Sequence, residues 1–244
     1  MKNVNLWLPT KVVRKGSRFV PSSDQRALSI GSRVVTSCQI PHYLAAINQH
    51  ARGRLLDLGC GHIPYYEMYR SLITEAVCVD WENTRHRNEL LDAVVDLNRP
   101  LPLPSDSFDT VLLMDVLEHL PRPLELFGEI SRVLRRGGRL IIGVPFLYWV
   151  HEQPYDFYRY TEFALRYMCE SNAFEVISLV PYGGLPDVFM DLSGKGVSAV
   201  WTRIGKAYVW GCQLLRASAA VQALSTRTNR LFPLGYTLVA AKQS

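Results

Sequence analysis

Short apolar runs, each closed by an acid or a glycine, recur along the middle of this chain. Leu55, Leu56 and Leu58 make the first, and Ala76–Val79 precedes Asp80. DAVVDL closes on Asp96, VLLMD on Asp115, and RLIIGVP follows a Gly-Gly turn. Runs of this length without polar alternation suit strands buried on both faces of a parallel sheet. The pattern predicts strands near 54–59, 75–80, 92–97, 108–115 and 139–145. Helical periodicity marks 64–72, 122–136 and Thr161–Asn172, with a turn or short helix near 116–120. FEVISLVPYGG predicts a sixth strand and GYTLVAAK, residues 235–242, a last one. Strands alternating with helices imply an α/β fold built on a doubly wound, mostly parallel sheet.

The flanks read differently. Residues 1–22 carry Pro9, Gly16 and Pro21 among basic residues and predict an extended arm. Ser22-Ser23-Asp24 is a capping sequence for a helix starting near Gln25, and a second helix is expected over His42–Ala51. Late in the chain, Val197, Val200, Trp201, Ile204, Tyr208, Gly211, Leu215, Ser218 and Val221 fall near helical spacing. Arg203, Lys206, Gln213 and Arg216 lie mostly on the other side. One amphipathic helix near 197–222 is expected, as a packed cap, a subunit contact or a membrane-surface helix.

At 244 residues, 48% hydrophobic, the chain holds one domain with additions. Its net charge of +5 is unevenly placed. Residues 1–50 carry seven Lys/Arg and one acid, residues 51–184 carry 13 basic and 19 acidic groups, and residues 185–244 carry seven basic groups and two acids. Basic flanks on an acidic centre favour an anionic surface as partner, or simply aid solubility. Cys38, Cys60, Cys78, Cys169 and Cys212 show no paired spacing, which argues for reduced thiols in a cytoplasm and against a disulfide framework or a metal site. No uncharged apolar stretch reaches the ~18 residues of a spanning helix. Pro9 and Lys11 interrupt the first apolar run, against a cleaved signal peptide.

The candidate chemistry sits where the strands end. Gly59 and Gly61 follow the first strand, where the chain must turn tightly and admit a ligand to the backbone. Asp57 stands just before them, placed to face a cationic or amino-bearing ligand. Asp80 ends the next strand, where a carboxylate takes the ribose hydroxyls of a nucleotide-like cofactor. The third glycine of a nicotinamide-binding loop is missing, and Pro64 stands in its place. LLDLGCGHIPYY, VCVDW, DAVVDL, PSDSFDTVLLMDVLEHL and EISRVLRRGGRLIIGVPF occur in that order over roughly Arg54 to Gly183. This succession resembles the class I S-adenosylmethionine-dependent methyltransferases, of the bacterial methyltransferase type 11-like kind.

The resemblance implies a Rossmann-like sheet of seven strands, with the last antiparallel, and S-adenosylmethionine as cofactor. The methionine part would lie along Asp57, Gly59, Cys60 and Gly61, with Met114 and Asp115 beside it. Asp80 would take the ribose hydroxyls, Trp81 would lie against adenine, and Asp96 with the Leu97 backbone would receive the adenine amino group. Glu118 and His119 match a stretch common in the family and are read as structural. In the family the sixth and last strands are joined closely, so residues 185–233 are a helical insertion. The expected organisation is a basic arm and helices over 1–50, a cofactor-binding core over 51–184, the insertion, and the core's last strand at 234–244. HEQPYDFYRYT, His151–Thr161, is the expected acceptor loop. His151 is the candidate base, Tyr155 and Tyr158 would hold a sugar, and Arg159 a phosphate or carboxylate. The alternative is a loop-to-helix junction with Thr161 as cap. Similar loops occur in methyltransferases that resemble those encoded near cell-surface polysaccharide genes, which suggests a saccharide hydroxyl or lipid-linked acceptor. An anionic membrane surface is a further candidate partner, with the protein peripheral on the inner membrane face. A non-catalytic cofactor-binding or membrane-associated module is a second reading. An RNA methyltransferase is disfavoured, because MDVLEH stands where a (D/N)PP(Y/F)-like motif would be.

Overall fold

The structure, a computed structural model, describes residues 1–82 and 89–243. Its elements are β1 (Val12–Lys15), β2 (Arg18–Pro21), α1 (Arg33–His50), β3 (Gly53–Leu58), α2 (Tyr66–Tyr69), β4 (Ile73–Asp80), β5 (Ala93–Val94) and β6 (Phe108–Met114). There follow α3 (Pro123–Val133), β7 (Leu134–Pro145), α4 (Glu162–Glu170), β8 (Phe174–Tyr182), α5 (Leu185–Val200), α6 (Thr202–Arg216), α7 (Ala219–Thr228) and β9 (Gly235–Lys242).

Seven strands form one sheet in the order β5-β4-β3-β6-β7-β9-β8. β3 pairs in parallel with β4 and β6, and β9 runs antiparallel to both its neighbours, β7 and β8. This is a Rossmann-like sheet with one reversed strand. The central strands are buried on both faces, as their continuous apolar runs require. Leu56, Leu58, Val111 and Leu113 join a cluster with Phe127 and Ile130 of α3 and Leu165 of α4. Leu55, Leu112 and Ile141 face the other way, onto Tyr43 and Ile47 of α1 and Met68 of α2. Each such side chain contributes ~1.5–3 kcal/mol by leaving water.

Several local expectations change. The arm is not simply extended, because residues 12–21 fold back as the hairpin β1–β2, pairing Val13 with Val20. Asp24 caps only a turn, its carboxylate taking the Arg26 backbone N–H, and the helix begins later, at Arg33. The helix over 64–72 shrinks to the four residues of α2, and the third strand to the two of β5.

The single helix near 197–222 is three helices. The chain leaves helical geometry at Trp201 (φ −133°, ψ 92°), and Ser218 caps α7 by accepting from Val221 N. α6 packs inward through Gly205, Val209 and Cys212, while Trp201 and Ile204 point outward. Arg216 is not on a solvated face, since its Nε lies 2.7 Å from Oδ1 of buried Asp187. A second buried pair, Asp191 with Lys195, also takes the Val35 N–H at 3.2 Å and ties α5 to α1. No helix among the described residues is long and apolar enough to cross a membrane.

Candidate active site

The carboxyl ends of β3, β4 and β6 open into one cavity of about 760 Å³. Ligands of open parallel sheets collect at this edge, and the volume suits a nucleoside-sized ligand. Asp57, Gly59, Cys60, Gly61, Asp80, Trp81, Asp96, Leu97, Met114 and Asp115 all line it, as does Tyr155.

The glycine loop is shaped by two different demands. Gly59 has φ 68°, and a Cβ there would come within 2.7 Å of Val116 Cγ1. Gly61 has φ 51° but nothing within 4 Å of its Cβ position, so a ligand can approach its backbone. The Gly61 N–H donates to Asp80 Oδ2 at 3.0 Å, and the Trp81 N–H to Oδ1 at 2.8 Å. The acid at the end of β4 therefore holds the loop at the end of β3. Trp81 and Tyr155 meet edge to face at 4.9 Å, forming one wall. Asp96 Oδ1 accepts from the backbone and side-chain amides of Asn98, at 2.9 and 3.0 Å, so this acid also shapes its own turn.

Asp57 is buried and Asp115 half-buried, and the two acids have opposite tendencies. Burial raises the Asp57 carboxyl to about 7; a hydrogen bond from Tyr69, at 2.9 Å, works against this and Asp80 adds to it. Burial also opposes ionisation of Asp115, but Lys11 and two tyrosines outweigh it and hold this acid below its usual range. Asp115 Oδ2 receives Lys11 Nζ at 2.7 Å and Tyr65 at 3.0 Å; Oδ1 receives Tyr43 at 2.8 Å and Gln39 at 3.0 Å. The arm is thereby fastened over the cavity, and residues 8–11 and Asp24, Arg26 and Ala27 line it.

The loop after β7 divides. Tyr155, Glu152 and Gln153 reach the cavity. Tyr158 and Arg159 do not line it, contrary to expectation. Tyr158 donates to the Pro121 carbonyl at 3.1 Å. Arg159 grips Asp156 at 2.8 Å and the Trp149 carbonyl at 2.8 Å, because a guanidinium with carbonyls in reach closes its own loop. Thr161 caps α4 by accepting from Ala164 N. His151 stands one layer behind the cavity, its ring 4.7 Å from that of His119, which does line it. Burial would lower the His151 pKa, but Glu118 and Asp156 outweigh it and raise it. Glu118, wholly buried beside both imidazoles, is pushed up by that burial. Sequence reading missed the cavity contacts of Lys11, Tyr65 and His119. The adjacent Glu118-His119 pair was the available signal for the last, whereas Lys11 lies in a stretch without periodicity.

A parallel sheet with a reversed strand, a glycine loop held by the acid of the next strand, and this cavity define a class I S-adenosylmethionine-dependent methyltransferase fold. Residues 56–142 match the methyltransferase domain family, and the chain is similar in sequence to S-adenosylmethionine-dependent methyltransferases. A probable S-adenosylmethionine-dependent methyltransferase of Mycobacterium tuberculosis is 27% identical over 174 residues, 66% of this chain and 62% of that protein. The 27-O-demethylrifamycin SV methyltransferase of Amycolatopsis mediterranei is 32% identical over 38% of this chain and 39% of its own length. The chain thus spans less than two thirds of these curated relatives. Among solved structures, an S-adenosylmethionine-dependent methyltransferase from Archaeoglobus fulgidus covers 84% of this chain and 91% of its own at 16% identity and TM-score 0.55. The [4+2]-cyclase SpnF covers 91% of this chain and 85% of its own, at 19% identity and TM-score 0.54.

Proposed function

We propose that this chain transfers a methyl group from S-adenosylmethionine to an oxygen of a small or lipid-linked acceptor, with a saccharide hydroxyl as the leading candidate. The observation that carries the reading is the bond from Gly61 N–H to Asp80 within a cavity of about 760 Å³. It couples the loop that admits the methionine part to the acid that takes the ribose. The bound cofactor supplies an electrophilic methyl on a sulfonium; the chain has to bind, orient and exclude water. Asp57 takes the ammonium, while Gly59, Cys60, Gly61 and Met114 flank the methionine part. Asp80 takes the ribose hydroxyls, Trp81 lies against adenine, and Asp96 with Leu97 receives its amino group. Asp115 acts by holding Lys11, and with it the arm.

Oxygen as the accepting atom is supported by a relative named for ubiquinone biosynthesis O-methylation, 28% identical over 102 residues. The acceptor side of the cavity is aromatic and polar, with Tyr155, Glu152 and His119. His151 was expected as base, but its place behind His119 makes His119 the imidazole nearer an acceptor. The test is S-adenosylhomocysteine release with a panel of sugars, lipid-linked sugars and phenols. Cofactor binding without turnover on every acceptor would favour the non-catalytic reading.

A membrane-surface role is supported by the cap. Residues 192–244 contain no acid. Lys195, Arg216 and Lys242 make ion pairs, whereas Arg203, Lys206, Arg227 and Arg230 make none among the described residues. Trp201, Ile204, Trp210 and Leu214 are exposed beside Arg203 and Lys206. An anionic surface attracts such cations by ~1 kcal/mol each. Co-sedimentation with anionic vesicles that salt abolishes, and that Ile204→Ser with Trp210→Ala weakens, is the expected result; equal recovery with neutral vesicles refutes it.

A further inference from the structure

We infer that Glu118, His119 and His151 form a binding site for one divalent first-row transition-metal ion, beside the cavity and apart from the cofactor-binding residues. The three side chains converge from two segments. Glu118 and His119 follow β6 on a short turn, and His151 comes from the loop after β7. One carboxylate oxygen of Glu118 and one nitrogen of each imidazole lie within 4.8 Å of one another. Two imidazoles and one carboxylate are an established donor set for zinc and ferrous ions, and three protein ligands leave a position open.

The burial of Glu118 is what asks for an occupant. Its side chain is 0% exposed, and neither carboxylate oxygen has a hydrogen-bond partner. An unpaired buried carboxylate is costly. The groups facing Glu118 Oε1 are His119 Nε2 at 3.8 Å and His151 Nε2 at 3.7 Å, too far to be hydrogen bonds.

The far side of each ring is anchored by the protein. His119 Nδ1 is 2.7 Å from the Tyr155 carbonyl, which can only accept, so Nδ1 carries the proton. His151 Nδ1 is 3.3 Å from Asp156 Oδ2 and 3.5 Å from an Arg159 nitrogen. These two neighbours hold the ring with Nε2 turned toward Glu118. A backbone carbonyl behind one imidazole and a carboxylate behind the other is the second-layer pattern of metal-binding histidines. A cation between the two Nε2 atoms and the carboxylate gives Glu118 the partner it lacks.

The geometry needs little change. Metal bonds of about 2.0–2.2 Å set tetrahedral ligand atoms roughly 3.4 Å apart, so modest ring rotations close the set. Glu152 Oε2, 3.9 Å from His119 Nε2, stands on the cavity side, where an open position would face an incoming oxygen. The competing occupant is a proton shared between one imidazole and Glu118, and it binds no ion.

The test reads metal, not methyl transfer, so it stands whether or not the acceptor reading holds. The full-length chain is stripped with a chelator, dialysed against Zn2+ or Co2+, and assayed for bound metal per chain and for the visible spectrum of the Co2+ form. One ion per chain is expected, with Co2+ bands of a low-coordinate nitrogen–oxygen site. His151→Ala and Glu118→Gln should each weaken binding at least a hundredfold, and Asp156→Asn by ~10–100-fold. His50→Ala, on α1 far along the chain from the cluster, should bind as the unaltered protein does. If Glu118→Gln fails to fold, the partly exposed His151 variant carries the test. Substoichiometric metal in the unaltered protein, or equal binding by folded His151→Ala, overturns the site.

Discussion

Asp57 gives the sharpest prediction, because its environment fixes both a sign and a size. The carboxyl is buried, receives one hydroxyl from Tyr69, and has its pKa raised from 3.8 to about 7. Between those values the folded chain binds a proton that the unfolded chain has released. Stability contributed by this group is therefore fully present below about pH 4 and is lost as pH rises to about 7. At ~1.4 kcal/mol per tenfold change in proton affinity, the total loss is about 4 kcal/mol. Asp57→Asn keeps an acceptor for Tyr69 and cannot ionise, so it escapes that loss.

The expected result is a pH-dependent difference between the two proteins. Near pH 4 their unfolding free energies should agree; above about pH 7 the Asn variant should be more stable, by up to about 4 kcal/mol. Denaturant unfolding without cofactor measures this directly. The cofactor reverses the advantage. An ammonium placed beside Asp57 selects the ionised carboxylate, so S-adenosylhomocysteine should bind the unaltered chain more tightly as pH rises through about 7. Binding should release a proton, visible as a buffer-dependent heat. A stability difference that stays flat across this range would refute the argument, as would binding with the same pH dependence in Asp57→Asn.

Two further outcomes follow from neighbouring contacts. Asp80→Ala removes the proposed ribose acceptor and the partner of the Gly61 N–H, and should weaken S-adenosylhomocysteine by about 1.5–3 kcal/mol in calorimetry. NAD binding, or unchanged affinity, would count against the assignment. Lys11→Ala leaves Asp115 with three neutral donors and loosens the arm. It should lower unfolding free energy by about 1–3 kcal/mol and speed proteolysis ahead of β1; intact protection would show that the hairpin holds by itself.

The core was legible because burial on both faces writes itself as continuous apolar runs. Leu55–Leu58, Val111–Met114 and Leu140–Val144 predict β3, β6 and β7, and the acids and glycines that follow β3 and β6 line one cavity. What stayed hidden rests on contacts distant in sequence. Lys11 meets Asp115 across 104 residues, and nothing local in a basic arm announces that partner. The cap misled for a different reason. Helical spacing of apolar residues predicts one amphipathic helix, yet α6 buries Gly205, Val209 and Cys212 and leaves Ile204, Trp210 and Leu214 outside. A segment with more apolar residues than it buries gives a periodicity that does not reveal which set faces inward.

The additions, rather than the sheet, decide what this cavity accepts. β3, β4 and β6 supply a cofactor edge that many chains of this fold share. Over it lie the arm, held down by Lys11 on Asp115, and the loop after β7, held by Arg159 on Asp156 and by Tyr158 on Pro121. Two of the clamp residues, Tyr158 and Arg159, are among those the sequence suggested for an acceptor. With those groups engaged inside the protein, Tyr155, Glu152 and His119 are the ones from these segments that line the cavity. A rigid loop carrying a few presented groups orients an acceptor better than a loose one carrying many, and orientation is the larger part of what methyl transfer asks of a protein.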